Sequence, residues 1–330
     1  MLSVEPDWAL GGMGVPRGAR IRAAWHEGRV TSLAWSPDGR AVCSAGRDGA
    51  VRVWDVASGE LRWQFERRAR LLAVSPDGAR GYALTPEGEV WPFDLARGEE
   101  LDRAWAPPKP LRRGLYSEHA AVSPDGRWLF PACDDGRGGV VVVDLHAGAA
   151  QSFTAPGAGE LQPVGAFTDD ARAVVLLGGV RPGRTGRANP ALYRYPLGEA
   201  LPDRVRALRT GRQRTLVPAT LHRDPCSLGA RWLLVGASPT VLSRWPVDDD
   251  QSCDWIDLPT RREGPVLTGE RVAVFACERG RAVGAVDHAT RSLLGVAALP
   301  AAVSALALSP DERTVLAGTE GGEVLALSVR

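Results

Sequence analysis

The chain has 330 residues, 40 Lys+Arg against 39 Asp+Glu, a formal net charge of +1, and 44% hydrophobic residues, with 38 Gly and 25 Pro marking frequent turns. That balance excludes a coiled coil, a disordered tail protein and any binding of nucleic acid through bulk charge. All the basic residues are arginine except Lys109, so chemistry that needs a buried lysine has almost nowhere to live.

Residues 1–18 read as an extension. Their start, Met1-Leu2-Ser3-Val4-Glu5-Pro6-Asp7-Trp8, lacks the basic-then-apolar pattern of a secretory signal, and the expectation is a cytoplasmic protein. Arg20 to Trp25 alternates polar and apolar residues, as a strand does, but has no neighbour of its own to pair with. From there the chain repeats. Ser36-Pro37-Asp38-Gly39, Ser75-Pro76-Asp77-Gly78, Ser123-Pro124-Asp125-Gly126 and Ser309-Pro310-Asp311-Glu312 each separate two alternating apolar stretches. Proline presets the first corner of a turn, aspartate caps it and glycine accepts the positive φ that follows, so each motif predicts a hairpin.

Weaker copies stand at Phe167-Thr168-Asp169-Asp170-Ala171, Arg223-Asp224-Pro225 and Leu267-Thr268-Gly269-Glu270. Anchors near 36, 75, 123, 168, 226, 268 and 309 define seven units, each read as four strands; the first unit predicts strands at about 29–36, 40–45, 50–55 and 61–65. The aliphatic stretch from Leu293 to Leu308 is short for a membrane span and broken by Pro300, and it predicts two short buried strands. Seven four-stranded antiparallel units arranged radially make an all-β, seven-bladed β-propeller spanning residues 1–330 as one domain. The last unit ends after three strands, so a strand at about 19–25 is expected to close the ring by pairing with it.

The first unit carries a more specific signal. His26-Glu27-Gly28, the stretch from Val30 to Gly39, and Asp48-Gly49-Ala50-Val51-Arg52-Val53-Trp54-Asp55 resemble the WD-repeat (tryptophan-aspartate repeat) family of β-propellers, in a bacterial type with degenerate repeats. The resemblance implies a structural tetrad of His26, Ser44, Asp48 and Trp54, a chain of hydrogen bonds that satisfies polar groups buried by blade packing. It also implies a non-catalytic scaffold that recruits other proteins. At the Trp-Asp position the other units have Phe93-Asp94, Val143-Asp144, Tyr195-Pro196, Trp245-Pro246, Val286-Asp287 and Leu327-Ser328.

Catalytic and cofactor signatures are missing from the sequence. Lys109 lies between Pro108 and Pro110 without a phosphate loop, and there is no G-x-S-x-G or H-E-x-x-H. The five cysteines (Cys43, Cys133, Cys226, Cys253, Cys277) include no C-x-x-C pair, and Cys43, Cys133 and Cys277 read as packing residues of second strands. The five histidines fall on different units, and Asp248-Asp249-Asp250 lacks the spacing of a calcium loop. No enzyme activity, cofactor or metal is expected, against an alternative of a lactonase-like propeller hydrolase with its site in the channel.

Arginine remains the biased feature. Arg67 with Arg68, Arg112 with Arg113 and Arg261 with Arg262 are read as pairs in blade-to-blade connections. Arg181, Arg184 and Arg187 fall in the inner loop of blade four, and Arg209, Arg212 and Arg214 in the connection after it. Such loops leave one face of a propeller, which would carry about +6. That face is the candidate docking surface for an acidic protein partner, because guanidinium groups grip carboxylates in pairs of hydrogen bonds. Nucleic acid is the lesser alternative, because aromatic stacking platforms are scarce in these loops. No membrane association is expected, and the chain is expected to be monomeric on its own.

Overall fold

A computed structural model describes residues 26–107, 120–131, 139–154, 159–180, 190–198, 207–210, 226–228, 232–238, 240–246, 254–258 and 261–329. Among them every regular element is a strand, and the 26 strands form seven antiparallel sheets. The first is β1 (Val30–Trp35), β2 (Ala41–Gly46), β3 (Ala50–Asp55) and β4 (Leu61–Glu66); each boundary lies within one residue of the sequence expectation. The second is β5 (Leu71–Val74), β6 (Arg80–Leu84) and β7 (Val90–Asp94). The third is β8 (Ala121–Val122), β9 (Trp128–Phe130), β10 (Gly139–Asp144) and β11 (Ala149–Thr154), and the fourth β12 (Gly159–Phe167), β13 (Ala173–Val180), β14 (Pro190–Pro196) and β15 (Ala207–Thr210).

The fifth sheet is β16 (Cys226–Leu228), β17 (Trp232–Ser238), β18 (Val241–Pro246) and β19 (Asp254–Asp257). The sixth is β20 (Arg262–Thr268), β21 (Val272–Cys277), β22 (Ala282–Asp287) and β23 (Leu293–Ala298), and the seventh β24 (Val303–Leu308), β25 (Thr314–Thr319) and β26 (Val324–Ser328). Each sheet is a meander in which neighbours in sequence are neighbours in space.

The hairpins form because the serine motif satisfies its own turn. Ser36 Oγ donates to Asp38 Oδ1 (2.6 Å) and accepts from the Ala41 amide (2.8 Å), Asp38 Oδ1 accepts from the Arg40 amide (3.0 Å), and Gly39 takes φ +69°. The same arrangement recurs at Ser75, Ser123, Thr168 and Ser309, with Ala171 and Glu312 in the left-handed position that glycine occupies elsewhere. Thr168-Asp170 is thus a full turn of this kind despite its weak sequence. At the far end of β3, β7, β10 and β22 the aspartates Asp55, Asp94, Asp144 and Asp287 accept backbone amides two or three residues on. The aspartate of the Trp-Asp pair therefore keeps its turn where the tryptophan is replaced.

Apolar clusters fill the junctions between sheets. Ala41, Cys43 and Val51 meet Leu72, Ala83 and Phe93 between the first two sheets, and Phe130, Phe153 and Tyr195 belong to a cluster spanning the second to fourth. Phe275 and Val266 join Leu242 and Ile256 between the fifth and sixth, and Val272 and Val283 join Leu306 and Val315 between the sixth and seventh. Val30, Val42 and Trp54 pack with Ala305, Leu316 and Ala326, so the first sheet meets the seventh as well as the second. First strands lie side by side in chain order, and β1 packs against both β5 and β24. Ser304 Oγ donates to Val30 O (2.7 Å), His26 N donates to Gly322 O (3.2 Å), and Arg29 pairs with Glu320 (3.3 Å).

Some expectations need correction. In the second sheet the fourth strand is replaced by residues 99–105, which bridge to β7 at Val90–Trp105 and Phe93–Glu100 only. The first two strands of the fifth sheet are Cys226–Leu228 and Trp232–Ser238, so Arg223-Asp224-Pro225 precedes the first strand in the sequence and does not separate the two. Of the two strands between Leu293 and Leu308, β24 is buried but β23 is the outermost of its sheet and largely half-exposed. The strand expected at about 19–25 lies outside the described residues. No described helix is long and apolar enough to cross a membrane.

Candidate interaction site

The four residues singled out in the first unit are brought together. Trp54 Nε1–H donates to Ser44 Oγ (2.9 Å), the Ser44 hydroxyl donates to His26 Nε2 (2.8 Å), and His26 Nδ1–H donates to Asp48 Oδ1 (2.9 Å), the assignment that gives each group one partner per proton. Their positions come from the hairpin: Ser44 sits mid-strand in β2, Trp54 in β3, Asp48 in the turn between these strands, and His26 just ahead of β1. Gly46 makes room, since a Cβ there would stand 2.2 Å from His26 Nδ1.

Arg52 adds a fifth member, donating from Nη1 to Asp48 Oδ2 (2.8 Å), lying against His26 Nδ1, and donating from Nε to Gln64 Oε1 (3.1 Å). Burial pushes the His26 imidazole below its usual pKa although Asp48 opposes this, so it is neutral near pH 7. Burial alone would raise Asp48, but hydrogen bonds from Arg52 and His26 bring it down to about 2. The order Ser44–His26–Asp48 has the connectivity of a hydrolase triad, but Ser44 is fully buried and already accepts from Trp54, so its oxygen cannot reach a substrate.

The arginines divide. Arg67 is held within the chain: its guanidinium forks onto Glu100 (3.0 and 3.2 Å) and stacks 3.9 Å from the Trp91 ring centre, with Arg103 on the same ring. Arg68 is exposed. Arg261 is exposed and pairs with Glu263 (3.2 Å). Arg262, expected in a loop, is instead the first residue of β20 and only 6% exposed, so it cannot serve a docking surface. Arg209, likewise expected in a connection, lies in β15 opposite Leu192. Arg112, Arg113, Arg181, Arg184, Arg187, Arg212 and Arg214 lie outside the described residues.

The thiols of Cys43 and Cys277 are buried. Burial pushes the Cys43 and Cys277 thiols up to about 12, which makes them poor nucleophiles. His146 is exposed in the turn after β10, whereas His288 is buried, with Nε2 3.1 Å from Thr268 Oγ1 and its carbonyl accepting from Arg244 of the fifth sheet. One recurrence escaped the reading of the loops. In six sheets the residue that enters the second strand, or the one just before it, is an exposed arginine: Arg40, Arg80, Arg127, Arg172, Arg271 and Arg313. The signal is their fixed offset from the turn motif, not local charge.

The profile of the family described as "WD domain, G-beta repeat" matches residues 22–55, the segment that holds the four-residue relay. Over 132 residues the chain is 30% identical to "Small ribosomal subunit protein RACK1z" of Arabidopsis thaliana, covering 36% of this chain and 40% of that protein. It is 31% identical over 114 residues to "WD repeat-containing protein 26 homolog" of the same plant, covering 33% and 18%, and 30% identical over 139 residues to "Ribosome biogenesis protein erb1" of Emericella nidulans, covering 36% and 17%. The alignments therefore span two fifths or less of these relatives, all of them eukaryotic.

Proposed function

We propose that the chain is a single-domain, seven-bladed propeller of the WD-repeat type that acts as a non-catalytic scaffold for protein–protein interaction in the cytoplasm. The observation that carries this reading is the unbroken order of sheet junctions, with β1 packed between β5 and β24. Such an order sets loops distant in sequence on one rim. His26, Ser44, Asp48 and Trp54 serve as the structural tetrad of the first blade. Residues 19–25 supply the fourth strand of the last sheet; in support, His26, which follows them, donates to Gly322 at the turn leading into β26. The printed names of two relatives place them in or around the ribosome, a many-protein assembly, and the scaffold role is carried over by that similarity. The near-absence of lysine supports a GC-rich bacterial source.

The docking surface for an acidic partner is assigned to the face where second-to-third-strand loops and sheet-to-sheet connections emerge. It comprises Arg68 and Arg261 together with the arginines at 112, 113, 181, 184, 187, 212 and 214. The test compares tagged wild type with the Arg181→Glu/Arg184→Glu/Arg187→Glu variant, recovered from cells of the source organism, with bound proteins quantified by mass spectrometry. A discrete set held by wild type and depleted in the variant is expected. An undiminished set rejects this surface, and no set above a tag-only control rejects the scaffold.

A further inference from the structure

The first-to-second-strand turn of the sixth sheet departs from the others of its kind. In the first four sheets and the seventh, an aspartate inside the turn accepts an amide of the same turn, as Asp311 does from Arg313 (3.1 Å). Thr268-Gly269-Glu270-Arg271 contains no aspartate, and Thr268 turns its hydroxyl to the Gly269 carbonyl (3.1 Å) and the His288 imidazole (3.1 Å). The amides of Glu270, Arg271 and Val272 converge instead on one carboxylate from the next sheet. Glu312 Oε1 accepts from Glu270 (2.6 Å), and Oε2 accepts from both Arg271 (2.9 Å) and Val272 (3.1 Å). Three successive N–H groups aimed at one carboxylate make an anion-binding nest.

Two further features serve the nest and not the turn. Gly269 lacks the left-handed φ that calls for glycine, yet a Cβ there would stand 2.5 Å from Glu312 Oε1, so the position is open because an anion approaches it. The Arg271 peptide is fixed from behind, its carbonyl accepting from the His288 amide (2.7 Å). Glu312, by contrast, is not required by its own turn, which Ser309 and Asp311 complete, and it sits at φ +55°, a costly conformation for a residue with a side chain. Its carboxylate is a strained internal ligand. The flanking charges cancel, Arg271, Arg313 and Arg244 against Glu270, Asp287 and Asp311, so recognition rests on the three amides and not on net charge. A carboxylate has to share one oxygen between two of these amides, whereas a phosphate group presents a separate oxygen to each.

We propose that residues 269–272 form a binding site for a phosphate group, held closed by Glu312 as a built-in competitor. The site needs only the contact of the sixth and seventh sheets and shares no residue with the proposed docking surface, so either can fail without the other. The probe is inorganic phosphate, added to the full chain against chloride at constant ionic strength, with thermal midpoints read for wild type, Glu312→Ala and Gly269→Ala/Glu312→Ala. Alanine already occupies the equivalent left-handed position at Ala171. Phosphate at about 50 mM should raise the Glu312→Ala midpoint by about 2 °C more than that of wild type, and the added Gly269→Ala should abolish the gain. The amide resonances of Glu270, Arg271 and Val272 should move in the same titration, and in wild type only at about tenfold higher phosphate, because the carboxylate must first leave. An equimolar Gly-phosphoserine-Gly arm separates a free ion from a phosphorylated side chain; the larger gain names the source, and either supports the site. Glu312→Gly replaces Glu312→Ala if the latter does not fold. No gain, an equal gain in wild type, a gain that survives Gly269→Ala, or unmoved amides overturns the proposal.

Discussion

Glu312 reaches from its own turn to the neighbouring sheet, where its carboxylate accepts from the Arg271 amide (2.9 Å) and from those of Glu270 (2.6 Å) and Val272 (3.1 Å). The residue sits at φ +55°, where three other copies of the turn have glycine, so the backbone bears a strain that the clamp offsets. Glu312→Gly removes both. The charged hydrogen bonds outweigh the strain, and urea unfolding should show a net loss of about 1–2 kcal/mol. A more stable variant would mean that strain dominates and the clamp is incidental.

Ala171 holds the same left-handed position (φ +56°), and its short side chain offers no such contact. Ala171→Gly should therefore raise stability by about 1 kcal/mol, read as a higher thermal midpoint. An unchanged or lower midpoint would contradict the turn assignment.

The relay of the first sheet depends on Ser44. Ser44→Ala leaves the buried Trp54 Nε1–H and His26 Nε2 without their shared partner and should cost about 2–3 kcal/mol. Gly46→Ala should cost at least as much by driving a methyl group into the His26 ring. A double variant close to either single one would show that both act through the same imidazole.

Acid should weaken the fold before most carboxylates titrate. Burial, reinforced by the Arg244 charge and opposed by Glu312 and Asp287, holds the His288 pKa down at about 4. His288 therefore stabilises the fold fully above the unfolded value of about 6.5, and that contribution, on the order of 3 kcal/mol, is lost as pH falls from 6.5 toward 4. His26 is also lowered by burial and loses its contribution in the same direction, whereas Asp48, at about 2, stays ionised throughout that window. Urea midpoints measured from pH 7.5 to 4.5 should fall, and His288→Gln should flatten the slope. A slope identical to wild type would remove His288 from the account.

The sheets were legible wherever a serine turn lay between two alternating stretches, because there the turn satisfies itself from local residues. Where pairing depends on distant residues, local pattern misleads. The aliphatic run of β23 reads as core, yet topology puts it outermost. Arg262 reads as loop because it follows Pro259-Thr260-Arg261, yet it begins a buried strand. The short strand Cys226–Leu228 carries no turn signal of its own. For the relay, the spacing of His26, Ser44, Asp48 and Trp54 is enough, because one hairpin and its entry hold all four. The exposed arginine that leads into six of the second strands is not legible locally, because no single turn is basic; it shows only when the units are superposed.

Everything about shared rims rests on the first and last sheets being neighbours. Arg29 and Glu320, paired at 3.3 Å, offer a direct test because Lys109 is the sole lysine in the chain. In the Arg29→Lys variant, a zero-length carbodiimide should couple position 29 to Glu320 within the monomer, giving one linked peptide by mass spectrometry that Glu320→Gln abolishes. Absence of that peptide, or its appearance only in dimers, would contradict the arrangement and the proposed docking surface with it.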